Sequence, residues 1–307
     1  MHSDDDGRSW SKPVEISQVF EKYRPQFDWK IIATGPGHGI QLKNGRLVVP
    51  IWMATGAKQG YQHYPSVTAV TYSDDHGQTW QAGDMVAQGT GRGIDPQLYH
   101  NPNETCAIQL ADGKVLFNIR VPSARQRRLA SLSPNGATDW SKPEFIEDLP
   151  EPLCFGGMAR LSETPGGGKN RIVFSHCNGL AGGHGAVDEK WCKREDMTVY
   201  LSYDEGKTWP VKKSVAPGFA GPGYSDMAVL PDGTLLSLYC EPRSKQGKGS
   251  SLAVARFNLE WLTDGKDSLP SSSAAAAVVP AGAAVGAGEV YDPPTAQDSS
   301  RPRPHGT

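Results

Sequence analysis

Apolar residues in this chain come in short runs, and three of the runs share one design. QLKNGRLVV (41–49), QLADGKVLF (109–117) and VLPDGTLLS (229–237) each place Asn-Gly or Asp-Gly between two apolar segments. This pattern predicts β-hairpins, and a two-residue type I′ turn with positive φ at both central positions is the expected connection. Apolar segments of strand length follow, VTAVTYS (67–73) and MTVYLS (197–202), and each runs directly into a polar turn. Helical periodicity is scarce, and 35 Gly with 24 Pro suit a turn-rich, all-β chain.

The polar turn is itself repeated. HSDDDGRSW, YSDDHGQTW and LSYDEGKTW carry Ser-x-Asp-x-Gly-x-(Ser/Thr)-Trp at 3–10, 73–80 and 202–209, and SPNGATDW at 133–140 keeps the Ser-to-Trp spacing with Asn in place of Asp. The expected unit is therefore a hairpin, a third strand, this turn and a fourth strand, and repetition at such a period predicts a β-propeller. Within the turn, Asp5, Asp75 and Asp204 suit capping of backbone N–H groups. Gly7, Gly77 and Gly206 permit positive φ, while Trp10, Trp80 and Trp209 are expected to bury large faces between strands. The spacing of acids around Gly7 is not that of a calcium-binding EF-hand loop. The motif is read as scaffold.

Charge adds only exclusions. Lys and Arg number 31 against 33 Asp and Glu, so the balance gives no reason to expect nucleic acid or an anionic membrane as a partner. The most apolar stretch, residues 274–288, is broken by Pro280 and several glycines, so no membrane span is predicted. No signal peptide is read after Met1. Five cysteines, Cys106, Cys154, Cys177, Cys192 and Cys240, lack CxxC spacing; buried thiols are expected, with a Cys177–Cys192 bridge as the alternative in an oxidising compartment. No metal and no cofactor are expected. Beyond about residue 263 the chain turns Ser/Ala/Pro/Gly-rich, so residues 1–263 are read as the propeller and 264–307 as a disordered tail.

The repeated turns are similar to the Asp boxes of the sialidase (neuraminidase) family, and other segments extend the resemblance over residues 3–263. NETCAIQLADGKVLFNIR (103–120), KREDMTVYLSYDEGKTWPV (193–211) and GYSDMAVLPDGTLLSLY (223–239) resemble the family segments that hold a catalytic Glu and an Arg, a second Arg, and a nucleophilic Tyr. GPGHGIQLKNGRLV (35–48) and ARFNLEWL (255–262) resemble bacterial members.

The resemblance implies a six-bladed propeller acting as an exo-α-sialidase on terminal sialic acids of glycoconjugates, with retention. Tyr224 would be the nucleophile, Glu104 its base, and Arg120 and Arg194 the substrate-carboxylate ligands. These residue types suit that chemistry. The sugar carries a carboxylate on its anomeric carbon, which repels an Asp or Glu nucleophile; a phenol is neutral. With an ordinary pKa near ~10, the phenol needs a neighbouring base. Planar guanidinium groups match a carboxylate with paired donors.

Two departures qualify the expected activity. The family's Arg-Ile-Pro segment and acid Asp lie upstream of its first Asp box, where this chain has only Met1 and His2, so a chain truncated at its N-terminus and impaired in turnover is expected. Cys240 stands where the family has Glu after Leu-Tyr, with Glu241 one step on. Asp95 is the weak candidate for a substitute acid. Arg127 and Arg128 read as rim or strand charges, and His38 and Trp52 as turn or core residues. A non-catalytic propeller that binds sialylated or other acidic glycans is the competing reading. Export to an extracellular or periplasmic site is the expectation from the resemblance.

Overall fold

A computed structural model of the chain describes residues 1–56, 63–91, 95, 97–164, 168–179, 194–220, 223–242 and 250–270. Met1–Leu269 forms one compact unit. The Ser/Ala/Pro/Gly-rich stretch from residue 271 onward lies outside the described residues, as does Cys192.

Among the described residues, four antiparallel sheets follow one another along the chain. The first contains β1 (Ile31–Thr34), β2 (Ile40–Gln41), β3 (Leu47–Ala54), β4 (Ser66–Ser73) and β5 (Gln81–Gln88), in the order β1-β3-β4-β5 with β2 also paired to β3. The second runs β6 (Thr105–Gln109), β7 (Val115–Ile119), β8 (Arg127–Ser133) and β9 (Glu144–Pro150). The third runs β10 (Gly157–Ser162), β11 (Arg171–Cys177), β12 (Glu195–Ser202) and β13 (Val211–Ala220). The fourth runs β14 (Ser225–Val229), β15 (Leu235–Pro242) and β16 (Ser250–Phe257), followed by the one-turn helix α1 (Leu259–Leu262). Consecutive sheets stack face to face as four blades of a propeller.

The two-residue strand period explains the stacking, since successive side chains face opposite neighbours. Val115, Phe117 and Ile119 of β7 pack on Leu42, Val48 and Val70 of the first blade. Leu116 faces the other way, among Phe174, Tyr200 and Trp209 of the third. Val173, Val199 and Leu201 in turn meet Met227, Leu235 and Leu259 of the fourth blade. Strands buried on both faces read as nearly unbroken apolar runs. On the outer face of the first blade, Phe20 and Tyr23 from a 3-10 helix (Ser17–Tyr23), with Trp29, cover Ile51, Met53, Val67 and Ala69. Arg171 and Asp267, 6% and 7% exposed, clamp the chain beyond α1 to β11 through two 2.8 Å hydrogen bonds.

The hairpins form where expected but with a different turn. Positive φ falls on Gly45 (92°), Gly113 (89°) and Gly233 (81°), and not on the preceding Asn44, Asp112 and Asp232. Leu42, Leu110 and Leu230 accept from the glycine N–H at 2.8, 3.0 and 2.9 Å and donate to the carbonyl one residue further on, at 2.8, 2.7 and 2.8 Å. This is the longer loop with a glycine bulge rather than type I′. The Asn or Asp side chain caps the N–H two residues ahead at 3.2, 3.0 and 2.9 Å, which favours the negative-φ form.

The repeated turns are nearly identical. The hydroxyl of Ser3, Ser73 or Ser202 accepts from the glycine N–H at 2.8, 2.8 and 2.9 Å and donates to the Asp carboxylate at 2.8, 2.8 and 2.9 Å. The same carboxylate accepts from the N–H of Ser9, Thr79 or Thr208 at 2.8, 2.8 and 2.9 Å. The hydroxyls of Ser9 and Thr79, then their N–H groups, hold the Asp5 and Asp75 carboxyls down to about 2. Asn135 does the same work at 133–140, accepting from the N–H groups of Ala137 and Thr138 at 2.8 and 2.9 Å. One expectation fails: Trp209 is 4% exposed, but Trp10 is 61% exposed. Trp10 is exposed although the hydrogen bonds of its turn are all made.

Candidate active site

Strand direction brings the predicted residues to one end of the blades. Glu104 directly precedes β6, and Arg120 directly follows β7; they face each other across the hairpin, with the Arg120 N–H donating to the Glu104 carbonyl at 3.0 Å. Tyr224 directly precedes β14 and Arg194 directly precedes β12. The starts of first and third strands and the ends of second strands share one face of the propeller. The glycine-bulge hairpins and the Asp-box turns occupy the other.

At that face the Tyr224 hydroxyl donates a short hydrogen bond to Glu104 Oε1. Arg120 Nη1 donates to the Tyr224 hydroxyl at 3.2 Å and lies 2.7 Å from Glu104 Oε2. The side chains of Arg120 and Glu104 are only 9% and 11% exposed. The Arg194 guanidinium stands 5.4 Å from the Tyr224 ring centre, and its Nη2 donates to the Leu153 carbonyl at 2.5 Å. The Phe155 ring lies tilted beside the phenol, ring centres 6.3 Å apart. Carboxylate, phenol and two guanidinium groups, predicted from segments up to 120 residues apart, thus share one cluster.

Burial raises the Tyr224 phenol well above its ordinary value; Arg120 opposes this, and Glu104 adds to it. The resting phenol is therefore protonated and bonded to a carboxylate. At Arg120 burial disfavours the charge, but Glu104 and then Tyr224 outweigh it, so the guanidinium stays ionised. Close approach of backbone shapes the site. A Cβ on Gly35 would lie 2.3 Å from the Thr105 carbonyl oxygen, which keeps the GPGHG loop against the strand that follows Glu104. Gly223 has φ +77°, and a Cβ there would meet Cys177 Sγ at 2.7 Å and Arg194 Cβ at 3.0 Å. Only glycine lets the chain before Tyr224 pass Arg194 at that distance.

The other residues singled out in the sequence take varied places, some as read and some not. Arg128 is not a rim charge: it is fully buried and pairs at 2.9 Å with Glu151, itself 1% exposed. Burial pushes the Glu151 carboxyl above its ordinary range, opposed first by Arg128. Nothing in the local sequence distinguishes Arg128 from Arg127, which is partly exposed and donates to the Glu147 carbonyl at 2.7 Å. His38 lies with Nδ1 3.0 Å from Asp226 Oδ2, a contact that raises the imidazole pKa. Trp52 is a core residue, 6% exposed. Asp95 is exposed and caps the N–H of Gln97 at 2.9 Å. Cys106, Cys154 and Cys177 are buried thiols, with Cys106 pushed up to about 12 by burial. The alternative bridge involves Cys192, outside the described residues. The Cys240 N–H donates to the Tyr224 carbonyl at 2.9 Å, so this position supports the phenol through its backbone. Among the described residues no group of three or more His, Cys, Asp or Glu side chains is placed to hold a metal ion. No described helix is long and apolar enough to cross a membrane.

Comparison with known proteins bears on the family and the fold. Residues 1–237 match the family model of the BNR repeat-like domain. A sialidase of Micromonospora viridifaciens is 32% identical over 267 residues, covering 85% of this chain and 35% of that protein. An exo-alpha-sialidase of Aspergillus fumigatus is 28% identical, covering 86% and 56%. A likeness of fold, at TM-score 0.60 and 23% identity, links the chain to a Hadza microbial sialidase, over 85% of this chain and 43% of that one. The chain thus spans between about a third and three fifths of the length of these relatives. With a matching domain model over most of its length and a relative of this identity, the chain belongs to the sialidase family.

Proposed function

We propose that the cluster around Tyr224 cleaves terminal sialic acids by an exo-acting, retaining mechanism, within the six-bladed propeller that the resemblance implies. The observation that carries this reading is the Tyr224 hydroxyl bonded to Glu104 and contacted by Arg120. Arg120 and Arg194 bind the carboxylate of the sugar, which places its anomeric carbon beside the phenol. As the phenol oxygen bonds to that carbon, its proton passes to Glu104 and the aglycone leaves with the electrons of the glycosidic bond. Glu104 then returns the proton to Tyr224 as water, attacking from the face the aglycone left, breaks the tyrosyl bond, and the proton that this water gives up neutralises the released aglycone through solvent. Two inversions give net retention. The raised phenol pKa fits a nucleophile that is neutral at rest and activated only through its paired base.

Leaving-group protonation is the step for which the cluster offers no dedicated acid. Turnover is therefore expected to be fastest with aglycones that leave without a proton. Sialosides of 4-methylumbelliferone and of lactose test this: fluorophore release by the wild type, lost in Tyr224→Phe while sugar binding persists, is the expected result. Equal release by Tyr224→Phe overturns the nucleophile assignment. Saturable binding of both sialosides with release of neither supports the glycan-binding reading instead.

A further inference from the structure

We propose that Glu151 is a positioning residue that sets both carboxylate-binding arginines through one buried carboxylate. The inference rests on the proposed role of Arg120 and Arg194. Glu151 follows β9 and accepts hydrogen bonds from the backbone beside each guanidinium, and its charge also favours the ionised form of Arg120. Its Oε2 accepts from the N–H of Val121, the residue after Arg120, at 3.2 Å. Its Oε1 accepts from the N–H of Leu153 at 2.7 Å, and the Leu153 carbonyl receives Arg194 Nη2. One carboxylate thus joins the end of the Arg120 strand to the acceptor that holds Arg194.

Two further observations show how tightly this joint is built. Leu153 has φ +58°, a left-handed conformation that is unfavourable for a non-glycine residue and persists only where its surroundings enforce it. The Glu151 carboxylate, bonded to the Leu153 N–H, supplies that enforcement. Arg128 fixes the carboxylate in turn: Nη1 donates to Glu151 at 2.9 Å and to the Cys154 carbonyl at 3.1 Å, while Nε and Nη2 donate to Asn118 Oδ1 and its carbonyl at 2.6 and 3.1 Å. Asn118 is two residues before Arg120 on β7. The Arg128–Glu151 pair therefore braces β7 on one side and the 151–154 turn on the other.

A core ion pair with no positioning role makes a different prediction, because well-packed apolar residues can replace such a pair at little or no cost in stability. The test uses the full chain with Glu151→Gln and with the double variant Glu151→Leu, Arg128→Met. The ligands are the 2,3-unsaturated analogue of N-acetylneuraminic acid, which has no glycosidic bond to break, and its methyl ester. Calorimetry gives affinity, and a melting scan identifies folded protein. Expected is a double variant that melts close to the wild type yet binds the acid about tenfold more weakly, with the preference for acid over ester reduced. Glu151→Gln, where folded, shifts affinity the same way. A folded double variant that binds the acid as tightly as the wild type, with the same preference, overturns the positioning role alone. A wild type that does not distinguish acid from ester overturns the carboxylate reading of Arg120 and Arg194, and this inference with it.

Discussion

Replacing Asp267 by Asn leaves the Arg171 guanidinium charged and buried with a neutral partner. The Asp267 carboxylate accepts Arg171 Nε and Nη2, both at 2.8 Å, and Lys169 Nζ at 3.2 Å. With both main partners under 10% exposed, this resembles a broken buried pair, which costs about 3–5 kcal/mol, rather than a surface bridge, which costs little. For a domain of this size each kcal/mol lowers the melting temperature by ~2–4 °C, so Asp267→Asn should lower it by roughly 6–20 °C. Differential scanning calorimetry against Asp264→Asn, which removes the exposed partner of Lys213, separates this clamp from surface charge. The effect has a defined pH window. Arg171 above all holds the Asp267 carboxyl far below its ordinary value. Its contribution is complete above the unfolded value of about 4 and is lost as pH falls through the folded one. The deficit should therefore be equal at pH 5 and pH 8 and shrink below about pH 4. A melting temperature for Asp267→Asn within the scatter of the Asp264→Asn control would refute the reasoning. It would also remove the ground for ending the folded unit beyond α1.

Two other outcomes are expected. Trp209→Ala should cost about 3–5 kcal/mol in urea unfolding and Trp10→Ala within ~0.5 kcal/mol, because one indole is buried in the core and the other faces water; equal losses would mean that Trp10 is covered in solution. The amide signals of Ser9 and Thr79 should titrate with Asp5 and Asp75 at about 2, since a depressed carboxyl contributes above its unfolded value of ~3.9 and loses that contribution as pH falls through the folded one. Midpoints near 4 in proton NMR would show that the turn hydrogen bonds do not hold the carboxylates.

The scaffold was legible because its signals are local. Every hydrogen bond that defines an Asp box lies within eight residues, and a glycine after Asn or Asp marks a hairpin where apolar runs flank it on both sides. The exact turn was not legible, because Asn44, Asp112 and Asp232 suit either sign of φ and only their side-chain caps decide. The site emerged through resemblance of separate segments: spacing alone gives no reason for Glu104 to meet Tyr224. Residues that act from behind stayed hidden. Arg128 sits in an alternating strand beside Arg127, and only the turn at Leu153 and the amide of Asn118 reveal which of the two points inward. Burial of Trp10 was misjudged for the converse reason, since a local motif specifies the turn and says nothing of a neighbouring sheet.

Turns and chemistry occupy opposite ends of the same strands, and this division has a consequence for how such a molecule can vary. A blade gained, lost or altered at its box end leaves the loops that carry Glu104, Tyr224 and the arginines untouched. Those loops can diverge toward a new ligand without disturbing a single Ser–Asp–Gly clip. Architecture and specificity are thereby inherited as separate variables, one written at each rim.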